Sequence, residues 1–387
     1  MKDDLFPHLG LGKTTDERAW NLTASLLDKM PPDLRAMTWA AAIPHWFDAD
    51  ILAALRPELR DRATRLYADL QTLSFVEVFP GRGHNIHELT RRLMLDHLWR
   101  ENLDEFRALS ARAVEIFSGR DEIAFRIENA YHLLVAEPDE GADAVWNLGA
   151  DLNNSFRYAE LEAFVNTALE QVNADRVAGR ARGWVLYREG RLENQTYRRE
   201  ALRTLENALA DAEQDRQLRA NVLSAMGDVQ QFRKDMNAAL ASYAQALELF
   251  RAVGDRLGEA NVLSAMGDVQ QFRKDMNAAL ASYGQALELF RAVGDRLGEA
   301  NVYGAMSRLD LQVGNIAEAE KLVARAVEIH QQIGDHYSVA ADWGRFAIVL
   351  HNLGDKDRAR ACAARAEPFF REIGHPAADT MRKIMQD

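Results

Sequence analysis

Residues 221–260 and 261–300 are one 40-residue segment written twice, differing only where Ala244 becomes Gly284. The same register continues in diverged form through 301–340 and 341–380. Self-similarity at a fixed period of this size marks a repeat solenoid, because each unit is too small to bury its apolar face without its neighbours. Inside the unit, Leu223, Met226 and Val229 recur at helical spacing, with Gly227 between them where a second helix can approach the backbone. Asp235 offers an N-cap for that second helix, whose apolar face is Ala239, Tyr243, Ala246, Leu247 and Phe250. Gly254, Gly294, Gly334 and Gly374, each 40 residues from the next, are placed to end the second helix, and Asp255 to open the following one. The predicted unit is helix, turn, helix, turn.

This unit resembles the tetratricopeptide repeat. That family's pattern of large residue, Leu, Gly, Ala, aromatic and Ala is filled here by Leu223, Met226, Gly227, Ala239, Tyr243 and Ala246. The third copy departs, with Ser307 for the glycine and Val323 for the aromatic; the fourth has Ala347 and Ala363 there but keeps Ala359 and Ala366. The period is 40 where the family's usual one is about 34, so the second helix or its exit turn is expected to be longer. Leu148, Gly149 and Ala168 fit a further repeat, and Trp184, Ala201 and Ala208 another with an enlarged first turn. About six repeats are expected over 142–375, closed by a capping helix over 376–387 that covers the exposed end.

Two nearly identical units follow most simply from a recent duplication. The sharper alternative is that they present identical contacts to a repetitive ligand. The resemblance implies that the first helix of each unit lines a concave face, with Asn221, Ser224, Asp228 and Gln231 directed inward, then Asn261, Ser264, Asp268 and Gln271, then Asn301 and Arg308. The stripe is polar and mildly acidic. It suits a partner whose backbone is read by an asparagine ladder, or a basic partner; a merely solvated face is the competing reading.

Net charge and composition narrow the function. The formal charge is −12, against the basic face that supplies most of a generic nucleic-acid binder's affinity. A single cysteine, Cys362, excludes an intramolecular disulfide and fits a reducing compartment. No apolar run approaches the roughly 18–20 residues needed to span a bilayer, and the start, MKDDLFPHLG, lacks the regions of a signal peptide. The expectation is a cytoplasmic protein without membrane contact.

The first 140 residues do not repeat. PPDLRAMTWAAAIPHWFDADILAAL reads as two short helices separated near Pro44, RDRATRLYADLQTLSF as a third amphipathic helix, and SFVEVFPGRGHNIHELTRRLMLDHLW as strand, tight turn, strand and helix. Helices followed by a hairpin make a winged helix. The details resemble the winged helix of the signal-transducing ATPases with numerous domains, the STAND class. The matches are Pro31-Pro32-x-Leu34, Phe75-Val76, Gly81-Arg82-Gly83 and His87-Glu88-Leu89. ENLDEFRALSARAVEIF and IAFRIENAYHLLVAEPDEG are similar to the linker helices that precede the superhelical sensor in that class. STAND proteins carry a nucleotide-binding domain before the winged helix, where about 27 residues stand here. The chain is therefore expected to be the sensor half of such a switch without its motor.

Candidate chemistry is sparse. Gly10-Leu11-Gly12-Lys13-Thr14 imitates part of a phosphate-binding loop, but the first glycine of that motif would fall on Pro7, with no strand before it. His84, His87 and Glu88 are too few ligands for a zinc site and read as residues flanking a turn. Arg82 at the wing tip, with Arg91 and Arg92 on the next helix, could touch DNA or a partner; residues 31–100 balance nine Lys/Arg against nine Asp/Glu, which favours a partner protein. Cys362 is read as a packed core thiol. No catalytic constellation, metal site or cofactor site is found.

The expected fold is all-α, a right-handed α-solenoid of tetratricopeptide-like helical hairpins of period 40 with an N-terminal winged-helix domain carrying a small β-hairpin. Its divisions are 1–27, an N-terminal segment; 28–100, the winged helix; 101–141, linker helices; 142–375, the repeats; and 376–387, the cap. The expected function is non-catalytic binding of a protein or peptide by a sensor, adaptor or inhibitor in a bacterial signalling or defence pathway. A signalling effector such as a protease or an NTPase is the expected class of partner. Two alternatives stay open: a winged-helix transcription regulator gated by a ligand on the repeats, and a peptide-sensing regulator of the Rap type, against which the hairpin speaks.

Overall fold

The computed structural model describes residues 14–387, in which twenty α-helices and one two-stranded sheet carry the regular structure. They form two compact units. One holds the described residues up to Thr196 with Ala210–Ala212; the other holds Tyr197–Leu209 with Glu213–Asp387. The chain is all-α apart from the hairpin, and its repeats are helical pairs, as read from the sequence.

The first unit opens with α1 (Thr15–Lys29). Gly10 to Lys13 of the loop-like string lie outside the described residues. Thr14 caps α1: its hydroxyl accepts from the Glu17 N–H at 3.2 Å while the Glu17 carboxylate accepts from the Thr14 N–H at 2.9 Å. This reciprocal box starts a helix that runs through the boundary drawn after residue 27. Next come α2 (Pro32–Ala41) and α3 (Ala49–Leu55), the latter capped by Asp48. The break around Pro44 is not empty, because Phe47 there exchanges backbone hydrogen bonds of 2.7 and 2.9 Å with His84. A 3₁₀ turn, Pro57–Arg62, leads into α4 (Ala63–Leu70). The hairpin follows as predicted: β1 (Val76–Phe79) pairs antiparallel with β2 (Gly83–Ile86), Val76 opposite Ile86. Gly83 is required, since its φ is +90° and an added Cβ would lie 2.5 Å from the Phe47 carbonyl oxygen.

Six helices complete the unit: α5 (Glu88–Glu101), α6 (Leu103–Phe117), α7 (Ile123–Ala136), α8 (Pro138–Asn154), α9 (Tyr158–Asn173) and α10 (Gly179–Gln195). The segment read as one linker helix, IAFRIENAYHLLVAEPDEG, is two. Pro138 has no N–H to continue α7 but suits the first turn of α8. The boundary drawn at 141/142 therefore falls inside α8.

The second unit takes most of α11 (Ala201–Ala210) and then α12 (Arg216–Phe232), α13 (Met236–Val253), α14 (Arg256–Phe272), α15 (Met276–Val293), α16 (Arg296–Gln312), α17 (Ile316–Gln332), α18 (His336–Asn352), α19 (Lys356–Glu372) and α20 (Ala377–Gln386). Each first helix is opened by an aspartate cap, at Asp215, Asp255, Asp295 and Asp335. The helix thus begins five residues before Asn221, where the sequence repeat was cut. Gly254, Gly294, Gly334 and Gly374 have φ of +76°, +76°, +77° and +66°, the left-handed exit expected of them.

Packing within the hairpins explains the divergence of the later copies. A Cβ on Gly227 would come within 2.4 Å of the Tyr243 ring, and one on Gly267 within 2.5 Å of the Tyr283 ring. The glycine exists to admit the tyrosine. In the third hairpin the tyrosine position shrinks to Val323 and the glycine position grows to Ser307, whose hydroxyl donates to the Ala319 carbonyl at 2.8 Å. In the fourth, both positions are alanine, Ala347 and Ala363, each fully buried. Volume is traded across the same contact, as close packing demands. Gly149 is different: its neighbour is the Arg188 side chain of α10, not α9.

Candidate functional site

The residues proposed for the concave stripe divide into two groups. Asn261 and Asn301 are exposed; Asn221, Ser224, Ser264 and Arg308 are half-buried. Asp228, Gln231, Asp268 and Gln271 are instead tied to the hairpin's own tyrosine. The Tyr243 hydroxyl lies 2.7 Å from Asp228 Oδ1 and 2.9 Å from Gln231 Oε1; Tyr283 repeats this with Asp268 at 2.7 Å and Gln271 at 3.1 Å. One hydroxyl proton goes to the carboxylate, the stronger acceptor, and a glutamine amide turned about its axis supplies the second bond. Burial, then the neighbouring carboxylates, push both tyrosine pKa values far up, so the hydroxyls stay protonated donors. Burial also raises Asp268, opposed by Tyr283 and by the charge of Arg308 in the next hairpin. Beside this, Ser242 and Ser282 donate to Gln230 and Gln270 at 2.7 and 2.8 Å. The twin units therefore share a polar seam that is a hairpin clamp as well as a surface. Reading Tyr243 only as an apolar face residue missed it.

The three arginines expected near the wing, Arg82, Arg91 and Arg92, go to three environments. Arg82 is not free at the tip: it pairs with Glu122, and its guanidinium lies 4.7 Å from the Trp46 ring centroid and 5.3 Å from that of Phe125. Arg91 is a correction to the sequence reading, for it is buried and faces the interior. Its guanidinium donates to the carbonyls of Pro44 and Ile43 at 3.2 and 3.1 Å, to the Tyr131 hydroxyl at 3.1 Å and to Glu170 at 3.1 Å. Four of its five N–H donors are thus engaged within the unit. Arg92 is half-exposed and pairs with Asp16 at 2.7 Å.

Around Arg91 stands a charge cluster that no sequence motif announced, with Arg91, Glu128 and His132 buried, His45 half-buried and Glu170 exposed. Glu128 on α7 accepts from the His45 ring and from the His45 backbone N–H at 3.3 Å; the other ring nitrogen lies 3.1 Å from Glu170 on α9. Burial and the Arg91 charge oppose protonation of His45, but Glu128 and Glu170 outweigh them, and its pKa is raised. Burial would raise Glu128, yet His45 and His132 hold it well below the usual carboxylate range. Glu170 is lowered to about 2, by His45 and Arg91 against burial. Burial lowers His132, whose Nε2 is 3.3 Å from Glu128 but out of line for a hydrogen bond. The cluster ties the 42–48 connector, α5, α7 and α9 together with two cations and two anions.

A pH dependence follows from these directions. His45 gains a proton's worth of stabilisation on folding that is complete below its unfolded pKa, about 6.5, and is lost as pH rises through its higher folded value. His132 works the other way: its folded pKa is depressed, so stability falls as pH drops below about 6.5. Melting of the protein followed by tryptophan fluorescence is expected to fall on both sides of neutrality, and His45→Gln is expected to flatten the alkaline limb. An alkaline limb unchanged in that variant would remove His45 as its source.

Elsewhere, His84 Nδ1 lies 2.7 Å from the Tyr67 hydroxyl. Among the described residues no three His, Cys, Asp or Glu side chains are grouped to hold a metal. Cys362 is buried, and burial pushes its thiol up to about 11. No helix among the described residues is long and apolar enough to cross a membrane.

Residues 218–292, 259–331 and 298–372 each match the tetratricopeptide repeat family. No curated protein matches the chain in sequence. Among solved structures it is similar to a signal transduction ATPase with numerous domains carrying a tetratricopeptide repeat sensor, from Pyrococcus horikoshii. That likeness has a TM-score of 0.51 at 14% identity, over 98% of this chain and 63% of that one. The chain thus spans less than two thirds of that protein, and what they share is the fold. It is also similar to aspartyl phosphate phosphatase F from Bacillus subtilis (TM-score 0.44, 14% identity, 91% of this chain, 94% of that one). A Rap protein complexed with competence and sporulation factor gives a TM-score of 0.47 at 12% identity, over 95% and 97% of the two chains.

Proposed function

We propose that this chain is a non-catalytic regulator, a sensor, adaptor or inhibitor in a bacterial signalling or defence pathway, which binds a partner protein or peptide through its repeats. The observation that carries this reading is the array of matched tetratricopeptide hairpins in the second unit, with polar groups repeated at 40-residue intervals on their first helices. Stacked helical hairpins of this kind present extended surfaces for other chains. The STAND likeness, a likeness of fold, supports the choice of pathway.

In this proposal the first unit is the output module. Its order is helix α2, the Phe47 bridge, α3, α4, β1 and β2, with Phe47 pairing to β2 as a short third strand. That order supports the winged-helix reading of residues 28–100. With Arg82 clamped on Trp46, Phe125 and Glu122, and Arg91 buried, the wing is built for packing against protein rather than for phosphate contact. The relayed signal then acts on a separate effector, for which a protease or an NTPase is the class proposed.

The test is affinity capture of the tagged full chain from native lysate treated with nuclease, read by mass spectrometry. One dominant partner in stoichiometric amount is expected. Retention of nucleic acid before nuclease treatment, with no protein partner, would replace this reading with the transcription regulator.

A further inference from the structure

The turns between the two helices of each hairpin differ from the turns between hairpins. Where one hairpin passes to the next, the left-handed residue is always glycine, at Gly254, Gly294, Gly334 and Gly374. Within the hairpins, the third and fourth use Gly314 and Gly354, but the twin units use Lys234 and Lys274, both at φ +64°. A side chain with a Cβ is strained there, and glycine is the residue the fold itself selects two units later. Retained strain at an exposed position points to a task for the side chain.

What surrounds these lysines is consistent in chemistry. Phe232 and Phe272, two residues before them, are 59% and 62% exposed, and Tyr197 is 71% exposed. Tyr197 and Phe232 touch, ring centroids 5.1 Å apart. The turns are neighbours: Arg233 donates to the Arg199 carbonyl at 2.7 Å, and Arg273 to Asn237 Oδ1 at 3.1 Å. Along 197–200, 232–237 and 272–277 stand six cations against three acids, in a chain of net charge −12. Two of those acids, Asp235 and Asp275, are occupied as helix caps. Among the described residues, no hydrogen bond or ion pair engages the side chains of Lys234 and Lys274. On the opposite edge Arg251 pairs with Glu259 at 2.6 Å and Arg291 with Glu299 at 3.1 Å. One edge therefore carries unspent positive charge interleaved with exposed aromatic rings.

We propose that this edge, formed by Tyr197, Phe232, Lys234, Phe272 and Lys274, docks an acidic segment of a partner protein that bears apolar side chains. The rings supply apolar contact area and faces for stacking, and the unpaired cations select an acidic segment over a basic one. A long polyanion is disfavoured, because the whole chain repels it at range. A short acidic segment feels the local field, within a screening length of about 8 Å. The inference rests on the protein-binding reading and places the contact on the edge rather than on the concave stripe.

The probe is a short fluorescein-labelled peptide of alternating glutamate and tyrosine, titrated with the full chain at an ionic strength of about 0.15 M and read by anisotropy. The parent protein is expected to bind it. Lys234→Gly with Lys274→Gly is expected to weaken binding at least tenfold while the melting temperature stays or rises, since the strain is relieved. Phe232→Ser with Phe272→Ser is expected to weaken it similarly. No binding, or equal binding by both double variants, overturns the proposal. Tighter binding of oligothymidylate, lost in the same variants, overturns the class of partner. If a partner captured from lysate is retained in full by both double variants, the regulator reading stands and this edge is not its contact.

Discussion

Replacing Tyr243 with alanine is expected to cost about 3–5 kcal/mol. The side chain is fully buried and fills the space that Gly227 leaves open. Removing it opens a cavity and strips Asp228 of its hydroxyl donor. Tyr283→Ala should match it, because Gly267 and Asp268 stand in the same places. Tyr243→Phe keeps the packing and loses the hydroxyl's bonds to Asp228 and Gln231, of which the charged one is worth about 1.5–3 kcal/mol. The informative variant couples two sites: Gly227→Ser alone overpacks against the ring and should cost about 1–3 kcal/mol, whereas Gly227→Ser with Tyr243→Val copies the third hairpin's own pair. That double variant is expected to be more stable than the two single changes predict when added. Strict additivity in chemical denaturation would mean that the two positions do not share one contact.

Arg91→Ala carries the second large effect. The buried guanidinium satisfies two backbone carbonyls, the Tyr131 hydroxyl and the part-exposed Glu170, and it cannot escape by losing its proton. Removing one member of such a buried set costs about 3–5 kcal/mol, chiefly through the groups left behind. Lysine restores a charge but not the fan of donors, so Arg91→Lys should recover only part of the loss. Arg92→Ala, which breaks a half-exposed pair with Asp16, should change stability by about 0–1 kcal/mol. Tryptophan fluorescence reports this unit well, since six of the seven tryptophans precede Tyr197. Equal effects of the Arg91 and Arg92 substitutions on unfolding would contradict the buried role of Arg91.

The contrast between those two arginines shows where sequence reading ends. Arg91 and Arg92 are adjacent in the chain, and adjacent residues on a helix point about 100° apart, so one can face the core and the other water. Nothing in the string Thr-Arg-Arg-Leu says which. The repeats were legible because a period of 40 is written directly in the chain, and glycine and aspartate mark its turns with their own backbone preferences. The hairpin was legible because Gly81 and Gly83 punctuate two short β-prone runs. The cluster around His45 was not, since His45 and Glu128 are 83 residues apart in different elements and no periodicity joins them. The Tyr243 clamp was half legible: the ring's place on the apolar face was read correctly, but its hydroxyl's reach to Asp228 depends on how two helices cross. As a result, Asp228 and Asp268, expected on the concave partner-binding stripe, also serve the hairpin itself.

The central claim is that the repeats of the second unit are the binding surface. Hydrogen–deuterium exchange of the full chain, alone and with its captured partner, tests it most directly. Slowed exchange concentrated within 197–372, and repeated in corresponding peptides of the twin units, is the predicted result. Protection confined to residues before 196, with the repeats exchanging as in the free protein, would contradict it.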